Sequence, residues 1–456
     1  MLDQTFSAHN LRKISEQEKR KGRIRDLIYF KEVKRKTEEL KSAIQVTKDF
    51  RHRHRGKYST DKQSEFNIIK EIREEKRKER DDLLLKGLED VSRVINRKNF
   101  EISFTKKSGP NGKPVYVIDK NQPDQLYALK KLEANIAAIY KVRPQNRNQI
   151  MDQLIGILSS RFNYHVIRTD ITSFFETIPH DRLLGKLKAD QLLSQKSMRI
   201  TEKILFLYAD LALTPGKGLP RGLGISSYLS ELYMRDFDQK IKSLPDTVFY
   251  ARYVDDIVIL FAPLPGSDVS TKKEEIKNHL LSFSLSMNLK KTEESPLDDD
   301  GHPRSRSGWS FEYLGYKLDF GSDLSVTMSK KRLDRYKKRI CVSFDRYQSQ
   351  KTKNSKHAYR LLIKRVRFLT SNTQLTHNKS NAYVGIYFNN RHLNKYKDLK
   401  ALDNFLGIKI QQILSPSLRR KLNQYSFEAG FKEKNFRRFH KKDEFKEIVK
   451  AWKYEK

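Results

Sequence analysis

The chain has 456 residues and a formal charge of +37, from 93 Lys and Arg against 56 Asp and Glu. Such a cationic excess repels itself unless an anionic partner neutralises it, and nucleic acid is the fitting partner because each cation that meets a phosphate releases a condensed counterion. No apolar run reaches the roughly 18 residues of a membrane span, the first residues lack a signal peptide's apolar core, and the single cysteine, Cys341, excludes internal disulfides and a cysteine-rich zinc module.

A cytoplasmic protein with no membrane partner is therefore expected. Residues 1–98 read as long, basic, mostly helical segments. Within them EIREEKRKER (Glu71–Arg80) has the mixed-sign charge of a solvated helix face laced with i,i+4 pairs. RHRHRGKY (Arg51–Tyr58) lacks acids and reads equally as a phosphate contact or an exposed loop. Over residues 99–164, FEISFTKK and KPVYVID alternate around Gly109-Pro110-Asn111-Gly112 and predict a hairpin, followed by two helices. Between residues 165 and 328 short strands alternate with helices, and residues 329–456 return to basic helical patterning. Cys341 falls in that last stretch and is expected to pack as a small buried apolar residue.

Tyr253-Val254-Asp255-Asp256 is the most informative segment, since apolar strands flank it on both sides. Burying an unpaired carboxylate costs several kcal/mol. A tight turn that presents both acids at its tip, with a divalent cation to compensate them, resolves the conflict; the plainer reading is a surface Asp-Asp turn. Asp170 ends the β-branched run HVIRTD, far enough upstream for its strand to lie beside the Asp255 strand in one antiparallel sheet. Three acids converging there would hold two divalent ions for in-line displacement at a phosphate. Between them, Gly218 to Ser227 (GLPRGLGISS) is a glycine-rich approach to a helix, suited to a ligand lying close to backbone.

DITSFF, GLPRGLGISSYLSEL and YARYVDDIVIL resemble, in order, the successive palm motifs of reverse transcriptases. NLKKTE (Asn288–Glu293) resembles the next motif, and FEYLGYKL resembles the primer-grip strand. The resemblance spans about residues 165–320. It implies an α+β right-hand polymerase: a helical basic N-terminal extension (1–98), a fingers-like hairpin and helices (99–164), an antiparallel-sheet palm (165–328) and a basic helical thumb and C-terminal domain (329–456). The implied activity is RNA-directed DNA synthesis from deoxynucleotides. Asp170, Asp255 and Asp256, with the carbonyl of Ile171, would bind two Mg²⁺ ions, Mn²⁺ being an alternative. Phe175 would be an aromatic gate against a 2′-hydroxyl, and Lys291 a general acid for departing pyrophosphate. Arg221 and Gly222 would border the nucleotide, Arg147 is a candidate triphosphate contact alongside Arg143, Lys106, Lys107 and Lys113, and Tyr313, Leu314 and Gly315 would hold the primer end. Two departures stand out: Arg221 replaces the family's usual glutamine, and no glycine–phenylalanine–arginine fingers loop precedes Asp170. The layout, with NAYVGIYFNNRHL near the C-terminus, resembles the bacterial defence-associated, abortive-infection reverse transcriptases. That implies an RNA template (a non-coding RNA in that group), a DNA product, and a second defence protein or a homo-oligomer as partner. The alternatives are an RNA-dependent RNA polymerase and a catalytically idle RNA-binding scaffold.

Overall fold

The computed structural model describes all residues except 1, 24, 55–57, 110, 111, 120, 161, 264–267, 305, 306, 376–381, 440–442 and 454–456. Its N-terminal part is helical: α1 (Ala8–Arg20), α2 (Asp26–Tyr29), α3 (Lys31–Arg53) and α4 (Thr60–Asn96). The charged α3–α4 pair is laced by ion pairs, though at i,i+3 spacing and between the helices rather than at the expected i,i+4, with Lys36 bridging Glu39 and Glu79 and Arg77 bridging Glu74. The loop half of the Arg51–Tyr58 segment, residues 55–57, lies outside the described residues.

The predicted hairpin forms as β1 (Thr105–Ser108) and β2 (Pro114–Val117), antiparallel from Thr105↔Val117 to Ser108↔Pro114. Its strands are shorter than the alternation suggests. Phe100, Ile102 and Phe104 do bury one face, but as unpaired extended chain packed into the core. Pro110 and Asn111 of the turn lie outside the described residues. Next come α5 (Pro123–Ile139) and α6 (Arg147–Leu158).

The central layer is a four-stranded antiparallel sheet. Its elements in chain order are β3 (His165–Asp170), α7 (Phe174–Thr177), α8 (His180–Asp190), α9 (Gln195–Ala212), α10 (Gly224–Lys242), β4 (Thr247–Tyr253), β5 (Asp256–Phe261), α11 (Lys272–Ser282) and β6 (Glu293–Glu294). The strand order is β4-β5-β3-β6. Both faces of this sheet are covered. Ile167, Ile257, Ile259 and Phe261 point into one buried cluster with α8, α9 and α10, whereas Val166, Ala251, Val258 and Leu260 point into a second. Two-sided burial explains the uninterrupted apolar run in β5, where alternation would mark a half-exposed strand.

The second cluster is built from α6, a three-stranded antiparallel sheet and the C-terminal helices. The sheet comprises β7 (Ser310–Tyr313), β8 (Tyr316–Phe320) and β9 (Leu324–Met328). Beyond it lie α12 (Lys330–Lys351), α13 (Ser355–Thr370), the short pair β10 (Asn372–Gln374) and β11 (Tyr383–Gly385), then α14 (Lys397–Gln411), α15 (Pro416–Leu422), α16 (Phe427–Lys432) and α17 (Glu444–Lys453). Cys341 is only partly buried on α12, because it sits beside the core-facing stripe of Tyr336, Ile340 and Phe344 rather than on it. The α+β class expected from the sequence is the class found. No described helix is long and apolar enough to cross a membrane.

Candidate active site

Strand register brings the three acids to one end of the central sheet. β3 and β5 run antiparallel with Asp170 opposite Asp256, and Tyr253 opposes Asp256 across the two-residue turn Val254-Asp255. Val254 adopts φ 64°, a costly conformation for a β-branched residue. The turn is tied back to β3 by the Ile171 N–H, which donates to the Asp255 carbonyl at 3.0 Å.

The acids are partly compensated by the protein itself. Lys291 Nζ lies 3.1 Å from each Asp170 carboxylate oxygen, and Asn288 donates its backbone N–H to the Asp170 carbonyl at 2.8 Å. Arg168 donates to Asp256 Oδ1 and, through Nη1, to the Lys291 carbonyl at 2.8 Å. Burial, with the Asp170 charge next, pushes the Asp255 carboxyl above its ordinary range. Burial also raises Asp256, against the opposing pull of Arg168. Among the described residues no three His, Cys, Asp or Glu side chains stand as a ready-made metal cage. What the site offers is a set of hard oxygen donors carrying more negative charge than Lys291 and Arg168 relieve. That donor chemistry fits Mg²⁺ or Mn²⁺.

Directly after β3, Phe174 is fully buried while Phe175 is partly exposed. Arg221 lies over the Phe175 ring, its guanidinium carbon 5.2 Å from the centroid. It is held there by Glu176 in a two-pronged pair of 2.7 and 2.9 Å. Burial opposes ionisation of Glu176, but the hydrogen bonds from Arg221 keep its carboxyl below the ordinary range. Arg221 is thus engaged by a neighbouring carboxylate, which the sequence does not announce.

The glycine-rich segment also receives the β1–β2 hairpin. The Tyr116 N–H donates to the Arg221 carbonyl at 2.6 Å. Gly222, at φ 98°, comes so near that a Cβ would stand 2.8 Å from the Tyr116 carbonyl oxygen, so only glycine fits. Lys113 lies near enough to lower the Glu176 pKa further. Lys106, Lys107 and Arg143 are exposed.

Tyr313, Leu314 and Gly315 form the β7–β8 corner, a two-residue turn with φ 46° and 76° at Leu314 and Gly315. Tyr313 is buried, and its hydroxyl reaches the Asp256 carbonyl at 3.4 Å. Arg147 belongs with this turn rather than with the loop of Arg221: its Nη2 donates to the Leu314 carbonyl, and its guanidinium lies 5.4 Å from the Tyr316 ring centroid.

Sequence reasoning missed Arg252, the largest fully buried side chain. From β4 it donates to Asp238 at 2.8 and 2.8 Å, to Glu231 at 3.1 and 2.9 Å, and to the Val254 carbonyl at 3.0 Å. An arginine within TVFYARY, with two acids seven residues apart on one face of α10, was the available signal.

A family model described as reverse transcriptase (RNA-dependent DNA polymerase) matches residues 124–318. No curated protein matches the chain. Among solved structures, telomerase from Candida albicans in complex with a fragment of telomeric RNA is 11% identical, with 79% of this chain and 67% of that one covered and a TM-score of 0.35. The corresponding RNA complex from Candida tropicalis is 12% identical over 71% and 63% of the two chains, with a TM-score of 0.36. The apo telomerase of that organism is 12% identical over 72% and 70%, with a TM-score of 0.38. The chain spans about two thirds of the length of these telomerase chains, and less than two thirds of the RNA-bound one from Candida tropicalis. The family of the matching model works with divalent metal ions. Residues 124–318 are thus similar to the reverse transcriptases, a family whose domain implies nucleotidyltransferase activity of the RNA-directed DNA polymerase type.

Proposed function

We propose that the protein extends a primer 3′-hydroxyl with deoxynucleotides along an RNA template, using two Mg²⁺ ions held by Asp170, Asp255, Asp256 and the Ile171 carbonyl, with Mn²⁺ as a substitute. The observation that carries this reading is the register of Asp170 opposite Asp256 beside the Val254-Asp255 turn. Bound there, the ions would activate the attacking hydroxyl and neutralise the leaving pyrophosphate.

The chain's own groups do the rest. Lys291, within 3.1 Å of Asp170, supplies a proton to the departing pyrophosphate. The Phe175 ring closes the 2′ side of the sugar, and Arg221 with Gly222 borders the nucleotide. The Tyr313-Leu314-Gly315 turn holds the primer end, and the cations of α12 and α13 track the duplex of template and DNA product as a thumb. The support for cytoplasmic anti-phage defence, with a non-coding RNA and a second protein or further copy as partner, is the resemblance of the layout and the NAYVGIYFNNRHL segment to the defence-associated group.

The test is incorporation by purified protein with Mg²⁺, offering deoxynucleotides and ribonucleotides separately, with and without co-purifying RNA. Deoxynucleotide-specific product that disappears in Asp255→Asn/Asp256→Asn is expected. Ribonucleotide product would favour an RNA polymerase. RNA binding and phage protection that both survive the double substitution would favour a scaffold.

A further inference from the structure

The NAYVGIYFNNRHL segment has a structural role of its own. After β11 the chain turns back so that Asn389, Asn390, Arg391 and His392 stand behind the β7–β8 corner. The Asn389 carbonyl accepts from the Tyr316 hydroxyl and from Arg332 Nη1, each at 3.2 Å. Asn390 is completely buried. It accepts from Arg332 Nη1 at 3.2 Å and donates to the Ile386 carbonyl at 2.7 Å and the Tyr336 hydroxyl at 3.1 Å. Arg332, itself buried on α12, passes the linkage on: its Nη2 donates to the Leu314 carbonyl at 2.8 Å, and its guanidinium lies 4.3 Å from the Tyr316 ring centroid.

Arg147 of α6 donates to that same Leu314 carbonyl from a second direction. Asp152, also on α6, pairs with Arg391 and His392 and so ties α6 to the Asn389–His392 loop. Two guanidinium groups on one carbonyl repel each other; Arg332 is offset by the Asn389 carbonyl and Asn390 Oδ1, and Arg147 by its place against the Tyr316 ring. The turn they hold needs holding, because Leu314 sits at a left-handed φ of 46° without being glycine. One residue before it, Tyr313 reaches the Asp256 backbone.

We propose that Arg332, Asn390 and Arg147 are positioning residues: a latch that fixes the Leu314-Gly315 turn relative to Asp256 and thereby sets where the primer 3′ end stands. None of the three touches the reacting atoms. The proposal rests on the reading of that turn as the primer-holding element. Its consequence is that the latch governs the rate of incorporation from a formed complex and leaves duplex affinity alone, since a displacement of about 1 Å at the reacting end lowers rates on the order of 100-fold.

The experiment uses the full chain and a DNA primer on an RNA template, with 2-aminopurine as the next-to-last primer base and a dye at the far end. Anisotropy reads duplex binding, 2-aminopurine fluorescence with Ca²⁺ reads placement of the terminus without turnover, and single-nucleotide incorporation with Mg²⁺ reads the rate. Arg147→Gln is the main variant because Arg147 is only partly buried; Arg147→Lys and Asn390→Ser accompany it. For Arg147→Gln the expected result is duplex affinity and half-saturating deoxynucleotide within about threefold of wild type, a rate at least about tenfold lower, and loss of the fluorescence change. Arg147→Lys, which keeps a donor but not the planar fork, recovers part of the rate.

An unchanged rate and fluorescence in Arg147→Gln, or a loss confined to duplex affinity, overturns the latch. Leu314→Ala separates the two layers. If it too leaves placement and rate unchanged, the primer-holding reading falls; if it disturbs them while Arg147→Gln does not, only the latch falls. Should the wild type extend no primer, the fluorescence comparison alone decides, and a wild type that binds no hybrid overturns both.

Discussion

Removing the Arg252 guanidinium tests how the Asp255 turn is held. Arg252→Met keeps the length and much of the volume of the side chain but strands two carboxylates. Glu231 and Asp238 have side chains only 11% and 15% exposed, and both lose their cation. Breaking a buried ion pair from one side costs about 3–5 kcal/mol, and an unsatisfied Val254 carbonyl adds about 1 kcal/mol or more. The sum, roughly 4–6 kcal/mol, is a large part of a typical domain's 5–15 kcal/mol. The loss depends on pH in a defined direction. Burial already raises the Glu231 carboxyl, with Arg252 opposing that shift, so removing the arginine raises it further. The folded state then holds protons that the unfolded state has released, and stability falls as pH rises from the unfolded carboxyl value through the raised folded one. The variant should therefore be nearer to wild type at pH 5.5 than at pH 8, measured by urea unfolding. Arg252→Met/Glu231→Gln/Asp238→Asn removes all three charges and should regain most of the stability. It should not regain incorporation, because the Val254 carbonyl stays unanchored. A single variant that loses less than about 1 kcal/mol, or a triple variant no more stable than the single, would refute the reasoning.

Asp255→Asn removes one of several like charges gathered at the sheet end, so without metal the variant should be about 1 kcal/mol more stable than wild type. Mg²⁺ should raise the melting temperature of wild type but not of the variant, and equal shifts in both would argue against a site at Asp255. Phe175→Ala should increase ribonucleotide use relative to deoxynucleotide use at least about tenfold while deoxynucleotide incorporation persists; an unchanged ratio in competition assays would remove Phe175 as the gate. On the exposed side of α13, Lys356→Ala and Arg360→Ala should each weaken duplex binding without regard to sequence. Each should also reduce the slope of log affinity against log salt by about 0.9, and a parallel salt titration with unaltered slope would exclude that face from the duplex.

Much of the site is legible because its chemistry sits in contiguous residues. Asp255 and Asp256 interrupt a strand pair that is apolar on both sides, and only a turn with a compensating cation makes that arrangement tolerable. Phe174 and Phe175 diverge, one into the core and the other toward the loop of Arg221, but adjacent aromatics after a strand do not reveal which is which. The interactions that support the acids are long-range and leave weaker marks. Arg168 reaches Asp256 from 88 positions away, and Arg252 reaches across to a helix. One arginine in an apolar strand reads as an exception until α10 is known to present Glu231 and Asp238 on a single face.

Arg147 is the instructive case. Its charge and its place shortly before Asp170 suggest a triphosphate contact, yet charge alone does not choose between a phosphate and a backbone carbonyl. Folding decides, because α6 packs with β7–β9 and the C-terminal helices, which puts the guanidinium beside Leu314. The same packing gives the C-terminal NNRHL segment its purpose. A fully buried asparagine must satisfy the donors and acceptors it buries, and Asn390 does so on Arg332, Tyr336 and the Ile386 carbonyl, whereas His392 Nε2 in the same run is buried without a hydrogen-bond partner. The network behind the β7–β8 turn is therefore drawn from α6, α12 and the loop after β11, far apart in the chain. A substitution in that remote loop should alter where a primer terminus stands before it alters how tightly the duplex is held.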